Sequence, residues 1–156
     1  TDISILASKK IGINASVISG YLIRINQNVK SHRFVQQLIF IRKFNQLKIS
    51  HRITSDQTFN QNLATNYRLR YRLSTEIPLN GNSLDPKEFF IKFNNEYLNS
   101  ISNKIYTLEL RLAAFAGYAI SKTNKIELGA DFRLSSIQQI SAKQRYWIGV
   151  NFYQSI

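Results

Sequence analysis

The amino-acid sequence predicts an all-β protein, an antiparallel up-and-down transmembrane β-barrel of 8–10 strands joined by short hairpin turns. First, apolar and polar residues alternate with a period of two along nearly the whole chain. Second, the alternating segments run to about 10–16 residues, above the ~5–6 typical of soluble sheets and long enough to cross a bilayer at a tilt. Third, no helical period of 3.6 residues persists over ten residues.

Nine segments carry the alternation. They are 3–8, which is weak, then 14–25, 32–44, 47–57, 63–79, 88–98, 104–120, 125–135 and 145–153. Single-chain bacterial barrels have even strand numbers. Nine segments therefore imply eight strands if 3–8 is not a membrane strand, or ten if one further strand lies upstream.

Composition bounds the class of protein. The 156 residues form one predicted domain, 1–156, large enough to bury a core. The net charge of +12 permits attraction to nucleic acid, an anionic membrane or an acidic partner without choosing among them. Since there is no Cys, the sequence excludes disulfides, thiolate metal sites and a cysteine nucleophile. Two His are too few for most imidazole metal sites.

The stretch "NYRLRYRLSTEIPLNG", 66–81, shows the two faces most clearly. Bulky apolar residues separate three arginines, so the apolar and the cationic side chains point to opposite faces. A soluble barrel turns its apolar face inward, whereas a membrane barrel turns it outward. The length of the strands and the charge-free apolar faces favour the membrane arrangement.

Opposite charges recur on the polar faces of successive strands. A crowded lumen requires this pairing because an unpaired charge there is costly, whereas a solvated face gains little from it. We therefore predict a lumen filled by its own side chains. The predicted structural charge network consists of Arg68, Arg70, Arg72, Glu76, Lys92, Glu96, Glu109, Arg111, Glu127, Asp131 and Arg133.

The arginine row has a second interpretation. Guanidinium groups bind phosphate bidentately, so Arg68, Arg70 and Arg72 would also suit a phosphate or a lipid headgroup. The ion-pair network is the preferred interpretation.

His51, next to Arg52 and near Asp56, suggests acid–base chemistry, because a His beside a carboxylate is a common general base. However, His51 and Arg52 must point to opposite faces of a strand, and no Ser or second His lies at a partner spacing. We therefore interpret His51 as structural, and His32 in the same way.

The stretches "HRITSDQTF", "RLRYRL…IPLNG" and "EFF…NNEYL" are distinctive, and with their surroundings they cover most of the chain. The chain resembles a family of outer-membrane β-barrel proteins of unknown function found mainly in Bacteroidota. This resemblance implies a bacterial outer-membrane location, a signal peptide removed on export and an antiparallel barrel. It supplies no catalytic residues.

We therefore expect a non-enzymatic, structural or accessory subunit of a larger outer-membrane assembly. Its expected partners are outer-membrane lipid and other outer-membrane proteins, with no nucleic acid, and we expect no cofactor and no metal. The alternatives are a soluble lipid-binding β-barrel, a basic nucleic-acid-binding β-domain that uses Arg and aromatic side chains, and an outer-membrane barrel with a transport or a lipid-modifying function.

Overall fold

A computed structural model of the chain describes residues 2–26, 29–60, 63–138 and 142–154. Parts of two predicted turns, 27–28 and 139–141, lie outside these residues. The strands are β1 (Asp2–Lys10), β2 (Ala15–Asn26), β3 (Val29–Phe44), β4 (Leu47–Asn60), β5 (Asn66–Pro78), β6 (Phe89–Ser102), β7 (Ile105–Ala119), β8 (Asn124–Ser135) and β9 (Lys143–Gln154).

These strands form one sheet in sequence order, and every neighbouring pair is antiparallel. The nine strands correspond one to one to the nine predicted segments, so the all-β antiparallel meander is confirmed. Turn chemistry supports this order. The two-residue turn between β6 and β7 is Asn103-Lys104, with φ of 48° and 63°. Two positive φ angles give the primed hairpin turn whose twist matches that of the flanking strands.

The sheet is strongly curled. Lys92 on β6 forms an ion pair with Glu127 on β8, at 2.9 Å between Nζ and Oε1. Lys125 on β8 reaches Glu76 on β5 at 3.7 Å. Side chains of strands two or three positions apart can meet only across a curved sheet. We call the face that carries these side chains the concave face, and the opposite one the convex face.

The predicted closure into a barrel differs from the structure, in which the sheet is open. Within the described residues, β1 pairs with β2 alone and β9 with β8 alone. In a nine-strand meander the first and last strands run in the same direction, so direct closure would require a parallel pair. Antiparallel closure needs an even number of strands. β1 pairs with β2 along its whole length, so the weak 3–8 segment is a strand of this nine-stranded sheet.

Burial is inverted relative to a soluble sheet. The carboxylates of Asp56, Glu96 and Glu127, all on the concave face, belong to side chains at most 3 % exposed. Ile5 and Ile148 on the convex face are 76 % and 85 % exposed. Folding of this chain therefore places charge inside and apolar surface outside.

Phe90 on β6 packs on the concave side against the backbone of β7. Phe90 is fully buried and its ring lies directly over Gly117, the residue opposite it on β7. A Cβ at Gly117 would collide with this ring. The glycine is therefore required by the close approach of the aromatic side chain.

Gly117→Ala is expected to lower the free energy of unfolding by about 1–3 kcal/mol, the usual effect of overpacking. Gly149→Ala is the matched control, because nothing lies within 4 Å of a Cβ built at that position on the edge strand. Thermal unfolding of both variants measures the difference. Equal melting temperatures would show that the Phe90 ring moves aside freely.

Candidate functional site: the charged concave face

Asp56 on β4 is the centre of the first charge cluster. Its Oδ1 accepts a hydrogen bond from Arg68 Nε at 2.6 Å, and its Oδ2 accepts one from Arg70 Nη2 at 2.9 Å. A third guanidinium, that of Arg33 on β3, lies 4.0 Å from Oδ1. The cluster forms because Asp56 is directly opposite Arg68 in the register of β4 and β5. One fully buried carboxylate thus faces three arginines.

Asp56 was not part of the predicted network, which sought partners for Arg68 and Arg70 on the following strand. A signal for it exists in the sequence. Asp56 follows Arg52 by four positions, and even-numbered residues of β4 share one face, as do the even-numbered arginines of β5. The sequence does not show the register of the hairpin, and it is this register that makes Asp56 and the arginines of β5 neighbours.

Glu96 on β6 forms the second cluster. Its Oε2 accepts from Arg72 Nε at 2.6 Å, and its Oε1 accepts from Arg111 Nη1 at 3.2 Å. The two arginines lie directly opposite Glu96 on either side. The contact between Arg72 and Glu96, two residues of the predicted network, is the one expected from the hairpin of β5 and β6.

Neighbouring acids extend the network around the sheet. Arg111 Nε also donates to Glu109 at 2.5 Å, and the hydroxyl of Ser135 donates to the other oxygen of Glu109 at 2.9 Å. On β8, Arg133 Nε donates to Asp131 at 2.7 Å. Arg111 and Arg133 therefore each bond an acid on their own strand, whereas Ser135 bonds Glu109 across β7 and β8.

Two predicted network residues, Glu76 and Lys92, do not pair with each other across the hairpin of β5 and β6. Glu76 and Lys92 lie directly opposite each other in the register of β5 and β6. Lys92 nevertheless pairs with Glu127, whereas Glu76 pairs with Lys48 at 3.3 Å and with Lys125 at 3.7 Å. Lys48 lies directly opposite Glu76 in the register of β4 and β5. The pairs Lys92–Glu127 and Lys125–Glu76 join strands that are not neighbours, which the curvature of the sheet brings together and strand order alone does not reveal.

Cations outnumber anions on this face. The ion-paired residues of this face, taken together with Arg52, are six acids and ten bases, which leaves four more positive than negative charges among them. The acids are Asp56, Glu76, Glu96, Glu109, Glu127 and Asp131. The bases are Arg33, Lys48, Arg52, Arg68, Arg70, Arg72, Lys92, Arg111, Lys125 and Arg133.

Arginines occupy one line of the register from β4 to β9. Successive residues directly opposite one another are Arg52, Arg72, Glu96, Arg111, Arg133 and Arg145. Like charges directly opposite each other are destabilising unless a counter-charge lies close. Glu96 supplies it in the middle of the line, next to Arg72 and Arg111. In the described part of the chain, Arg52 forms no ion pair.

A cavity of about 520 Å³ lies against this line. The charged side chains of the concave face therefore leave open space beside them. Its lining residues come from seven strands, β3 to β9. Those with charge or hydrogen-bonding capacity are Lys48, Ser50, Arg52, Arg72, Ser74, Thr75, Glu76, Lys92, Asn94, Glu96, Arg111, Asp131, Asn151 and Tyr153.

The two histidines lie on the convex face and contact tyrosines. His51 Nδ1 is 2.8 Å from the hydroxyl of Tyr71, and His32 Nδ1 is 2.6 Å from that of Tyr21. Asp56 lies on the opposite face of β4 from His51. The sequence pattern that suggested a His–carboxylate pair therefore corresponds to no contact between the two side chains.

No group of three or more His, Asp or Glu side chains among the described residues is arranged to hold a metal ion. No helix in the same residues is long and apolar enough to span a membrane.

Comparison with known proteins identifies a family. The family model described as "Protein of unknown function (DUF2490)" matches residues 4–151, nearly the whole chain. The chain belongs to this family. No curated protein matches it. The predicted resemblance to a family of unknown function is confirmed at this level, while the Bacteroidota source and the outer-membrane barrel remain predictions.

Proposed function

We propose that this member of the DUF2490 family is a small, non-enzymatic β-sheet protein of the bacterial outer membrane. In this proposal it is an accessory subunit of a larger assembly, with its convex face against lipid. The observation that carries the proposal is the inverted burial, with carboxylates inside the curl and large aliphatic side chains outside it.

The extent of the exposed apolar surface supports a bilayer as the surrounding medium. On β8 and β9, Leu128 and Val150 lie next to each other and are 57 % and 65 % exposed. Ala116 on β7 continues the same apolar row. Monomeric soluble proteins rarely expose contiguous apolar surface of this kind, and larger patches mark interfaces with membrane or protein.

The character of the cavity argues against a soluble lipid-binding barrel. Such a barrel needs an apolar interior for acyl chains, whereas this cavity is lined by Arg52, Arg72 and Arg111 together with carboxylates. The arginines also argue against a nucleic-acid platform, because most of them are engaged in ion pairs inside the curl.

Partner contacts are proposed at two places. The first is the pair of open edges, β1 and β9, where a further antiparallel strand would bring the sheet to ten strands. The second is a polar row on the convex face, in which Ser19, Gln36, Ser55 and Asn99 lie on one register line interrupted by Leu69. Polar groups are costly against hydrocarbon, so this row suits a protein neighbour better than lipid.

Membrane fractionation tests the location. We expect the full-length protein to sediment with outer membranes, to resist extraction by high salt and by alkaline carbonate, and to require detergent for release. Recovery in the aqueous fraction without detergent would contradict the proposal and return the soluble alternative to first place.

Conductance in a planar bilayer tests the accessory role against transport. We expect little or no steady ion conductance from the purified protein, because fixed ion pairs such as Arg72–Glu96 occupy the interior of the curl. Large, stable conductance steps from the pure protein would contradict an accessory role and favour transport.

A further inference from the structure

The concave face contains a compact group of donors on two neighbouring strands. Arg52 and Arg72 lie directly opposite each other on β4 and β5, and Ser50 and Ser74 form the next pair on the same face. Side chains directly opposite in an antiparallel pair have Cβ atoms about 4.5–5.5 Å apart, and the next pair on the same face is about 7 Å away. The Cβ atoms of these two arginines and two serines therefore lie at the corners of a small rectangle on one face of the sheet.

Much of the hydrogen-bonding capacity of this group is unused. Within the described residues, neither Arg52 nor the hydroxyls of Ser50 and Ser74 form a side-chain hydrogen bond or an ion pair. Asn94 lies opposite Ser74, and its amide oxygen is buried without a hydrogen-bond partner. Oxygen and nitrogen of an amide are exchangeable by rotation, so this side chain is also able to present its NH₂ group.

Charge at this point favours an anion. Glu96 is already shared between Arg72 and Arg111, at 2.6 Å and 3.2 Å. The nearby lysines are also satisfied, since Lys48 pairs with Glu76 and Lys92 with Glu127. Arg52 therefore adds an unpaired positive charge directly opposite another cation, which is destabilising unless an anion lies between or beside them.

We propose that the cavity of about 520 Å³ binds a phosphate monoester, whose phosphate lies between Arg52 and Arg72 and accepts from Ser50 and Ser74. Phosphate carries close to two negative charges at neutral pH and three strong acceptor oxygens, which match the surplus charge and the clustered donors. The cavity lies in the usual size range for small-molecule sites and has room for an organic group beyond the phosphate. This inference rests on the concave face and does not require the proposed membrane location.

A titration with inorganic phosphate tests the site on the purified, folded full chain. Melting temperature is followed against phosphate concentration, with sodium chloride at equal ionic strength as the reference. We expect a saturable rise with phosphate and none with chloride, because a ligand that binds only the folded state stabilises it by mass action. Arg52→Gln is expected to raise the Kd for phosphate at least tenfold, the usual consequence of losing a charged hydrogen-bonded contact.

Arg145→Gln is the matched control. It removes the same charge from the same register line and lies outside the cavity lining. We expect its Kd for phosphate to stay within twofold of wild type. If Arg52→Gln does not fold, the double variant Ser50→Ala, Ser74→Ala takes its place, with an expected severalfold loss of affinity.

A second titration distinguishes a free phosphate compound from a lipid headgroup. The probe is dioctanoyl phosphatidic acid in mixed micelles, compared with dioctanoylglycerol, which lacks the phosphate. Tighter binding of phosphatidic acid than of inorganic phosphate assigns the site to a lipid headgroup, and the reverse assigns it to a free phosphate compound. The proposal is overturned if neither phosphate probe gives a saturable response, or if Arg145→Gln weakens binding as much as Arg52→Gln.

Discussion

Leu128→Arg is expected to prevent stable membrane assembly of the protein. Leu128 lies on the convex face of β8 between Ala116 and Val150, and it is 57 % exposed. In the proposed location this exposed surface faces hydrocarbon, where an arginine near the midplane of a barrel costs about 2–4 kcal/mol. This is a large part of the net stability of a small domain. The measurement is the amount of detergent-extractable, folded protein in the outer-membrane fraction.

Leu79→Arg provides a matched control. Leu79 is 55 % exposed, almost the same as Leu128, and lies in the joint between β5 and β6 rather than in a strand. A soluble sheet would tolerate both substitutions equally, because both positions would face water. In the proposed arrangement Leu79→Arg assembles normally. Equal abundance of the two variants in the membrane fraction would reverse our assignment of the convex face to lipid.

The sequence was sufficient to predict the strands because their signal is local. Alternation in a segment such as 125–135 depends only on successive side chains pointing to opposite faces. β8 (Asn124–Ser135) accordingly differs from its prediction by a single residue. Even the weak 3–8 segment becomes a strand, since β2 supplies a partner along its whole length. The division into a charged and an apolar face follows from the same rule.

The contacts of the charge network could be predicted only where they lie directly across a hairpin. Arg72 and Glu96 meet in this way. Lys92 instead crosses to Glu127 on β8, because curvature brings nonadjacent strands together and no local pattern encodes curvature. Closure is likewise a property of the whole sheet. It depends on the relation between β1 and β9, the two strands farthest apart in the sequence.

Asp56→Asn is expected to lower the free energy of unfolding by about 3–5 kcal/mol, the usual cost of removing one partner from a buried ion pair. Asp56 is fully buried and accepts from Arg68 and Arg70. An asparagine keeps the shape and one acceptor oxygen but removes the only carboxylate that these two arginines contact among the described residues. Thermal unfolding, or the temperature at which the folded form is lost on a gel, measures the effect.

Asp85→Asn is the control. It makes the same chemical change on an exposed residue of the joint between β5 and β6, where we expect the free energy of unfolding to fall by at most about 0.5 kcal/mol.

A double-mutant cycle then isolates the electrostatic part of the effect of Asp56→Asn. Arg70→Leu in the Asp56→Asn background removes one of the cations left without a counter-charge, together with a buried Nε that has no partner. If charge balance stabilises the concave face, the double variant is less destabilised than the sum of the two single variants. Simple additivity would mean that Asp56 contributes through packing alone.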